Sequence, residues 1–169
     1  HDFSAATVTG APQGLVLVAS QVVGSTVSSV TLTSVFSADY DSYLITYSDG
    51  VASADVYLTG RLGSTSTGYY ETRVVSGPAG GAVGNNYTNN GAELRFGSGI
   101  TSGAYIVSHM HNPFLTKPTY HTGDQFATSQ MARYTSMLNN STSYTDFTIF
   151  SNAGTITGGT VRVYGYSKG

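Results

Sequence analysis

The pattern in this sequence that most clearly suggests a chemical function, here metal binding, is a pair of histidines separated by one residue. His109 and His111 flank Met110, and side chains two residues apart on a β-strand point to the same side of the strand. Imidazole pairs of this kind bind zinc or iron, and His121 is close enough in sequence to serve as a third ligand. In a trimer, three such pairs around the axis could form a site with six nitrogen ligands.

The alternative is a histidine pair that binds no metal. Asp124 is the one nearby carboxylate that could fold back to fix the imidazole tautomers. A His-x-His pair also arises often by chance, so a hydrogen-bonded pair without metal is the favoured interpretation. We therefore keep His109, His111 and His121 as candidate metal ligands and expect no cofactor.

Tyrosine and asparagine define a second candidate site, of a kind suited to carbohydrate. The chain has 13 tyrosines and no tryptophan. A tyrosine ring can stack on a sugar ring while its hydroxyl forms a hydrogen bond, and asparagine amides can bind sugar hydroxyls. The alternative interpretation is that these residues are ordinary strand-edge tyrosines and turn asparagines. The candidate ligand-binding residues are Tyr69, Tyr70, Asn85, Asn86, Tyr87, Asn89 and Asn90.

The carboxylates form no recognisable catalytic pattern. Two of them would suffice for glycoside hydrolysis, and Glu71, Glu93 and Asp146 would be the first to test. Both glutamates alternate with apolar residues as exposed strand positions do, and most aspartates fall where strands end. Nucleophile-elbow, phosphate-loop, dinucleotide-binding and His-Glu-x-x-His motifs are all missing from the sequence. The sequence therefore predicts a protein that is not an enzyme, with no catalytic residues.

Composition limits what could position these residues. The chain of 169 residues is 40% hydrophobic, which predicts one domain over residues 15–169 after an N-terminal arm or connector at residues 1–14. It has no cysteine, so disulfides and thiolate ligands are excluded. The net charge of −2 argues against nucleic acid as a partner, and no apolar run is long enough for membrane insertion.

Period-two alternation between turn residues predicts an all-β fold. About nine to ten strands should form an antiparallel β-sandwich of the jelly-roll type. Residues 60–91 read as a long surface loop with one strand at 69–75, and the proline-containing stretch 112–124 reads as a loop or edge strand. The apolar positions of residues 125–138 fit neither the helical nor the strand period cleanly, and a strand at 131–137 is favoured over a helix.

Three segments resemble one recurrent bacteriophage module. They are residues 14–21 (GLVLVASQ), 40–45 (YDSYLI) and 159–166 (GTVRVYGY), which together span nearly the whole chain. The module is similar to virion structural proteins of tailed phages, particularly marine and cyanobacterial ones. There it occurs as tail-fibre tips and as capsid decoration or head-fibre proteins. The resemblance implies a jelly-roll-like fold and a position on the outside of the virion, and it carries over no catalytic residues.

Two non-catalytic functions follow as expectations. One is a tail-fibre or receptor-binding module that recognises host surface carbohydrate through polar loops. The other is a capsid decoration protein that contacts shell subunits. In either case we expect a homotrimer that contacts other tail or capsid proteins, by analogy with the threefold symmetry of phage fibres and many capsid decorations.

Overall fold

The fold consists of β-strands in two sheets. The computed structural model describes residues 14–77, 84–99, 101–128 and 130–168, and every regular element within them is a β-strand. The thirteen strands are β1 (Leu15–Val22), β2 (Ser29–Leu32), β3 (Ser42–Ala52), β4 (Val56–Leu62), β5 (Tyr69–Ser76), β6 (Gly84–Gly91), β7 (Leu94–Gly99), β8 (Ala104–His111), β9 (Thr119–Phe126), β10 (Met131–Leu138), β11 (Phe147–Ser151), β12 (Ile156–Thr157) and β13 (Thr160–Tyr166).

The larger sheet has nine strands and the smaller has four. The order in the larger sheet is β1-β13-β3-β8-β9-β10-β5-β6, with β12 also paired to β3, and the order in the smaller sheet is β2-β11-β4-β7. The strand pairs of both sheets are antiparallel. The predicted antiparallel β-sandwich is confirmed, and the described residues contain more strands than the nine or ten predicted.

Alternating apolar side chains hold the two sheets together. Tyr43, Ile45 and Tyr47 of β3 are buried, as the alternation of this segment predicts. From the smaller sheet, the Phe96 and Phe147 rings meet edge to face with centroids 5.5 Å apart. These residues belong to one core cluster to which both sheets contribute, so burial of a shared apolar interior stabilises the sandwich.

Part of the interior is polar. The inward-facing positions of β8, β9 and β10 include Ser108, His121, Gln125 and Ser136, each at most 4% exposed. Glu71 of β5 is also buried beside them in the sheet order. The interior is therefore apolar around β3 and β13 and mixed around β9, where Ile106, Met110 and Leu138 of the neighbouring strands are buried beside the polar groups.

The predicted loop or edge strand at residues 112–124 is right for residues 112–118, which form no strand, and wrong for β9, because β9 buries polar groups. β9 lies inside the larger sheet, hydrogen-bonded to β8 on one side and to β10 on the other. Its buried positions include His121, Gly123 and Gln125 instead of aliphatic residues, so the usual alternation of apolar and polar residues is missing. Pro113 and Pro118 precede the strand and leave its ladder intact.

The predicted long loop at residues 60–91 is also wrong in part. β5 and β6 pair over most of their length, and β6 forms an edge of the larger sheet. The sequence of β6, GNNYTNNG, has few strand-forming residues, and its side chains are exposed or half-buried. Backbone pairing to β5 makes this segment a strand. By contrast, the predicted strand at residues 131–137 is confirmed as β10.

The N-terminal arm predicted at residues 1–14 lies outside the described residues except for Gly14. The described part of the chain contains no helix that could cross a membrane.

Candidate functional site

The outer face of the larger sheet carries a continuous row of polar side chains. Strand register aligns Thr122 of β9, Thr135 of β10 and Thr72 of β5 side by side, and Tyr87 of β6 follows Thr72 at the sheet edge. His109 of β8 lies at the other end of this row, paired with Thr122. Side chains aligned in this way across neighbouring strands lie close enough to contact one ligand.

A second row beside it is aromatic. Tyr120 of β9 pairs with Met137 of β10, which pairs with Tyr70 of β5. Because these residues lie two positions along each strand from the threonines, their side chains emerge on the same outer face. The two rows together bring three tyrosines, Tyr70, Tyr87 and Tyr120, around a floor of small polar groups.

These rows form a groove of about 500 Å³, which we call the tyrosine groove. A volume of this size is within the usual range for small-ligand sites. Tyr87 is 75% exposed and Tyr120 is 47% exposed, so both rings are accessible to a ligand. The groove is lined by Tyr70, Glu71, Thr72, Tyr87, Thr88, Asn89, Tyr120, Thr135, Ser136 and Met137.

Three of the seven predicted ligand-binding residues meet in this groove: Tyr70, Tyr87 and Asn89. Asn85 and Asn86 line a separate cleft instead. The structure thus divides into two places a set of residues that the sequence could not separate: Asn85 and Asn86, near the start of β6, line the cleft, and Tyr87 and Asn89, further along β6, line the groove.

Tyr69 was wrongly included among the ligand-binding residues. Its side chain is fully buried, and its hydroxyl accepts a hydrogen bond of 2.9 Å from the backbone N–H of Leu62. Burial raises the pKa of Tyr69 to about 12. Tyr69 is therefore a core residue, while its neighbour Tyr70 faces the groove.

Asn90 of β6 makes structural hydrogen bonds to the two residues that precede β5. Its backbone φ is 54°, a left-handed conformation that asparagine tolerates better than most residues. Its side-chain Oδ1 accepts hydrogen bonds from the backbone N–H of Gly68 at 3.0 Å and from the Thr67 hydroxyl at 3.2 Å. These bonds occupy the oxygen that a sugar hydroxyl would need.

Sequence reasoning missed Tyr120, Met137 and Thr135 as groove residues. Tyr120 and Thr135 occupy exposed positions of β9 and β10, and Met137 is half-buried. Tyr120 was overlooked because β9 was read as a loop or edge strand. Recognising the alternation of 119, 121, 123 and 125 as an inward polar face would have placed Tyr120 outward.

The three histidines do not assemble into one metal site. His109 and His111 lie on the outer face as predicted, but each has a partner: His109 Nδ1 is 3.0 Å from the Tyr166 hydroxyl, and His111 Nδ1 is 2.8 Å from Ser42 Oγ. His121 pairs in register with the buried Met110 and points into the sandwich, so it cannot join them. Among the described residues, no group of three or more His, Cys, Asp or Glu side chains is arranged to hold a metal ion.

Burial controls the protonation of His121. Desolvation lowers its pKa to about 3, and the charges of His109 and His111 act in the same direction. Its Nδ1 lies 3.5 Å from Ser136 Oγ, and its Nε2 has no hydrogen-bond partner within the described residues. The imidazole is therefore neutral at physiological pH and belongs to the polar interior.

The carboxylates singled out in the sequence each hold a local contact. Glu71 accepts a hydrogen bond from the backbone N–H of Arg95, and burial raises the pKa of Glu71. Glu93 forms an ion pair of 2.5 Å with Arg61. Asp146 accepts hydrogen bonds from the backbone N–H of Ser34 at 2.8 Å and from the Thr145 hydroxyl at 3.0 Å. Structural hydrogen bonds and ion pairs thus account for all three.

The outer face also carries a patch of apolar side chains beyond the tyrosine groove. Tyr105, Phe126 and Met131 are neighbours across β8, β9 and β10, and each is at least 42% exposed. Val107 and Val74 lie on the same face. We call these five residues the apolar patch. Exposed patches of this kind on a soluble domain commonly mark interaction surfaces.

Comparison with known proteins adds no assignment to this geometry. No protein-family model, curated protein or solved structure matches the chain.

Proposed function

We propose that this chain is a non-enzymatic, receptor-binding module on the exterior of a tailed-phage virion and that its tyrosine groove binds a host surface carbohydrate. The observation that carries the proposal is the convergence of Tyr70, Tyr87 and Tyr120 around threonine hydroxyls on one open sheet face. The virion location is supported by the sequence resemblance alone.

The groove suits a sugar for chemical reasons. A tyrosine ring presents a flat apolar face to the C–H groups of a sugar ring, and its hydroxyl can bond to a sugar hydroxyl. The hydroxyls of Thr72 and Thr135 are exposed on the floor, and Asn89 adds an amide at the rim. Glu71 is the one acidic residue among those that line the groove, and its buried carboxylate points into the sandwich, where it accepts a hydrogen bond from the backbone N–H of Arg95. A neutral oligosaccharide therefore fits better than a charged one.

The decisive experiment is binding of the purified chain to a glycan array and to host cells. Tyr87→Ala and Tyr120→Ala remove exposed rings that the core does not use, so we expect the variants to fold and lose binding at least about tenfold each. Tyr164→Ala is the matched control, because Tyr164 is a partly exposed tyrosine of β13 on the same sheet face, outside both the groove and the apolar patch.

Oligomeric mass must accompany this assay, since loss of multivalency would also weaken binding to a surface. Light scattering of each variant separates the two effects. Undiminished glycan binding by both groove variants would refute the groove as the carbohydrate site, and binding to no glycan or cell would remove the receptor-binding proposal.

The apolar patch favours a second candidate function, that of a capsid decoration protein. The exposed rings and aliphatic side chains of Tyr105, Phe126 and Met131 would be covered by a shell subunit or by neighbouring copies in a homotrimer. Phe126→Ser should then abolish binding to isolated empty capsids and leave the affinity for a soluble, monovalent glycan unchanged. A wild-type chain that is monomeric and does not bind capsids would rule this candidate out.

A further inference from the structure

A second cleft opens between the two sheets, on the opposite side of the β5–β6 hairpin from the tyrosine groove. We call it the arginine cleft, and its volume is about 250 Å³. Small-molecule sites usually begin at roughly 300 Å³, so any occupant is small. Its lining includes Tyr57, Arg73, Asn86, Ser98 and Tyr134.

Two guanidinium groups gather at Tyr57. The Cζ atom of Arg95 lies 3.6 Å from the Tyr57 ring centroid, and that of Arg73 lies 5.1 Å from it. Cation–π contact of this kind fixes the plane of each guanidinium and leaves its N–H edge available to a ligand. Arg73 and Asn86 are paired across β5 and β6, which places an amide beside the Arg73 side chain on the cleft side of the hairpin.

Positive charge exceeds negative charge at this cleft. The ion pairs of the described residues are Arg61 with Glu93, Arg133 with Asp124, and Lys168 with Asp41, so neither Arg73 nor Arg95 belongs to one. Glu71 is the carboxylate that acts on both, and it accepts its short hydrogen bond from the backbone N–H of Arg95. Two guanidinium charges thus face one carboxylate charge.

Buried donors without partners are present at the same place. Ser98 lines the cleft and is 2% exposed, and its hydroxyl approaches Tyr134 without completing a hydrogen bond. The Tyr134 hydroxyl donates elsewhere, to Gln125 Oε1 at 2.8 Å. Nη1 of Arg95 is likewise buried with no partner among the described residues. Buried donors are normally satisfied, and of these two groups Ser98 is the one that lines the cleft, so its hydroxyl is the donor that a bound acceptor could reach there.

We propose that the arginine cleft binds the carboxylate of a small acidic ligand, of the class of a uronic acid. The Arg73 guanidinium supplies two parallel N–H donors to the carboxylate, and the Ser98 hydroxyl and the Asn86 amide supply further donors. This proposal goes beyond the carbohydrate groove, because the cleft uses different residues on the other face of the same hairpin and selects for charge.

The test compares glucuronate with glucuronamide, which has the same ring and size but lacks the charge. Titration followed by ¹⁵N NMR should show saturable changes in the chemical shifts of backbone amides in β5, β6 and β7 when glucuronate is added. The affinity derived from the same titration with glucuronamide should be at least about tenfold lower. Raising the salt concentration should weaken glucuronate binding, because the cleft is open to solvent.

Arg73→Gln should lower glucuronate affinity about tenfold or more while leaving the protein folded, since Arg73 is only half-buried. Arg133→Gln is the matched control, because Arg133 is exposed on the outer face and pairs with Asp124 at 3.6 Å. Ser98→Ala gives a second, uncharged test and should also weaken binding, because it removes a donor without adding bulk.

Three results would overturn the proposal: equal affinity for glucuronate and glucuronamide, unchanged binding in Arg73→Gln, or shifts confined to the tyrosine groove. Tyr87→Ala separates the two sites, because it should abolish neutral glycan binding and leave glucuronate binding intact. The proposal for the tyrosine groove and the proposal for the arginine cleft can therefore be refuted independently of each other.

Discussion

Replacing Tyr69 by Phe should destabilise the protein although it removes a single oxygen atom. Tyr69 and Leu62 are both fully buried, and the Tyr69 hydroxyl accepts the backbone N–H of Leu62 at 2.9 Å. Without that oxygen, the N–H stays in the interior with no acceptor. An unsatisfied buried donor costs about 1–3 kcal/mol, so the free energy of unfolding should fall by that amount.

Urea unfolding measures this loss directly. For a slope of about 2 kcal/mol per molar urea, the midpoint should move down by roughly 0.5–1.5 M. The melting temperature should fall by about 2–12 °C, because each kcal/mol lowers it by about 2–4 °C in a chain of this length. The slope itself should not change, since the folded state keeps its compactness.

Tyr70→Phe is a control that makes the same chemical change one residue away. Tyr70 points to the outer face and lines the tyrosine groove, so its variant should stay within about 0.5 kcal/mol of the wild type. A Tyr69→Phe protein as stable as the wild type, or a Tyr70→Phe protein destabilised to the same extent, would refute the assignment of one ring to the core and the other to the groove.

Three further changes test the interior. Because burial holds the pKa of His121 near 3 against an ordinary value of 6.5, only the unfolded chain takes up a proton as pH falls below 6.5. His121 alone should then lower the stability by about 1.4 kcal/mol per pH unit below pH 6.5. The raised pKa of Glu71 acts in the opposite sense in the wild type and in His121→Asn alike, so the difference between the two proteins isolates His121, and equal slopes would contradict the assignment. Gly165→Ala should cost about 1–3 kcal/mol in thermal unfolding, because its Cβ would clash with the Tyr40 ring, whereas Gly77→Ala, whose Cβ would meet no atom of the described residues within 4 Å, should cost far less. Burial raises the pKa values of Tyr47 and Tyr69 to about 12, so the unfolded chain loses these protons at a lower pH than the folded protein. The urea midpoint should therefore decrease as the pH rises from about 10 to 12, and it should decrease less steeply in Tyr47→Phe. A midpoint that does not depend on pH would contradict this.

Most of the fold could be predicted from alternation because most inward positions are apolar. β3 and β10 were found this way, and β3 buries Tyr43, Ile45 and Tyr47 as expected. β9 was misjudged because alternation reports burial only when the buried side chains are apolar, and this strand buries His121 and Gln125.

The candidate site was predictable in its residue types and not in its geometry. Tyr70 and Tyr87 could be selected as tyrosines between polar residues, but their convergence depends on the pairing of β5 with β6 and of β10 with β9. Tyr69 was included because adjacent tyrosines look alike in sequence. Because the two side chains point to opposite faces of β5, Tyr69 is buried in the core and Tyr70 lies at the surface.

The β5–β6 hairpin that separates the two clefts also affects how readily the protein opens locally. β6 is paired on one side only, and its side chains are exposed or half-buried, so its amides should exchange with solvent sooner than those of β3 in the centre of the sheet. A ligand in the tyrosine groove would contact β6 together with β9 and β10 and would oppose this local opening. Ordering the hairpin would then consume part of the binding free energy of the ligand. Slower amide exchange in β6 would show that the groove is occupied, even when the ligand gives no spectroscopic signal of its own.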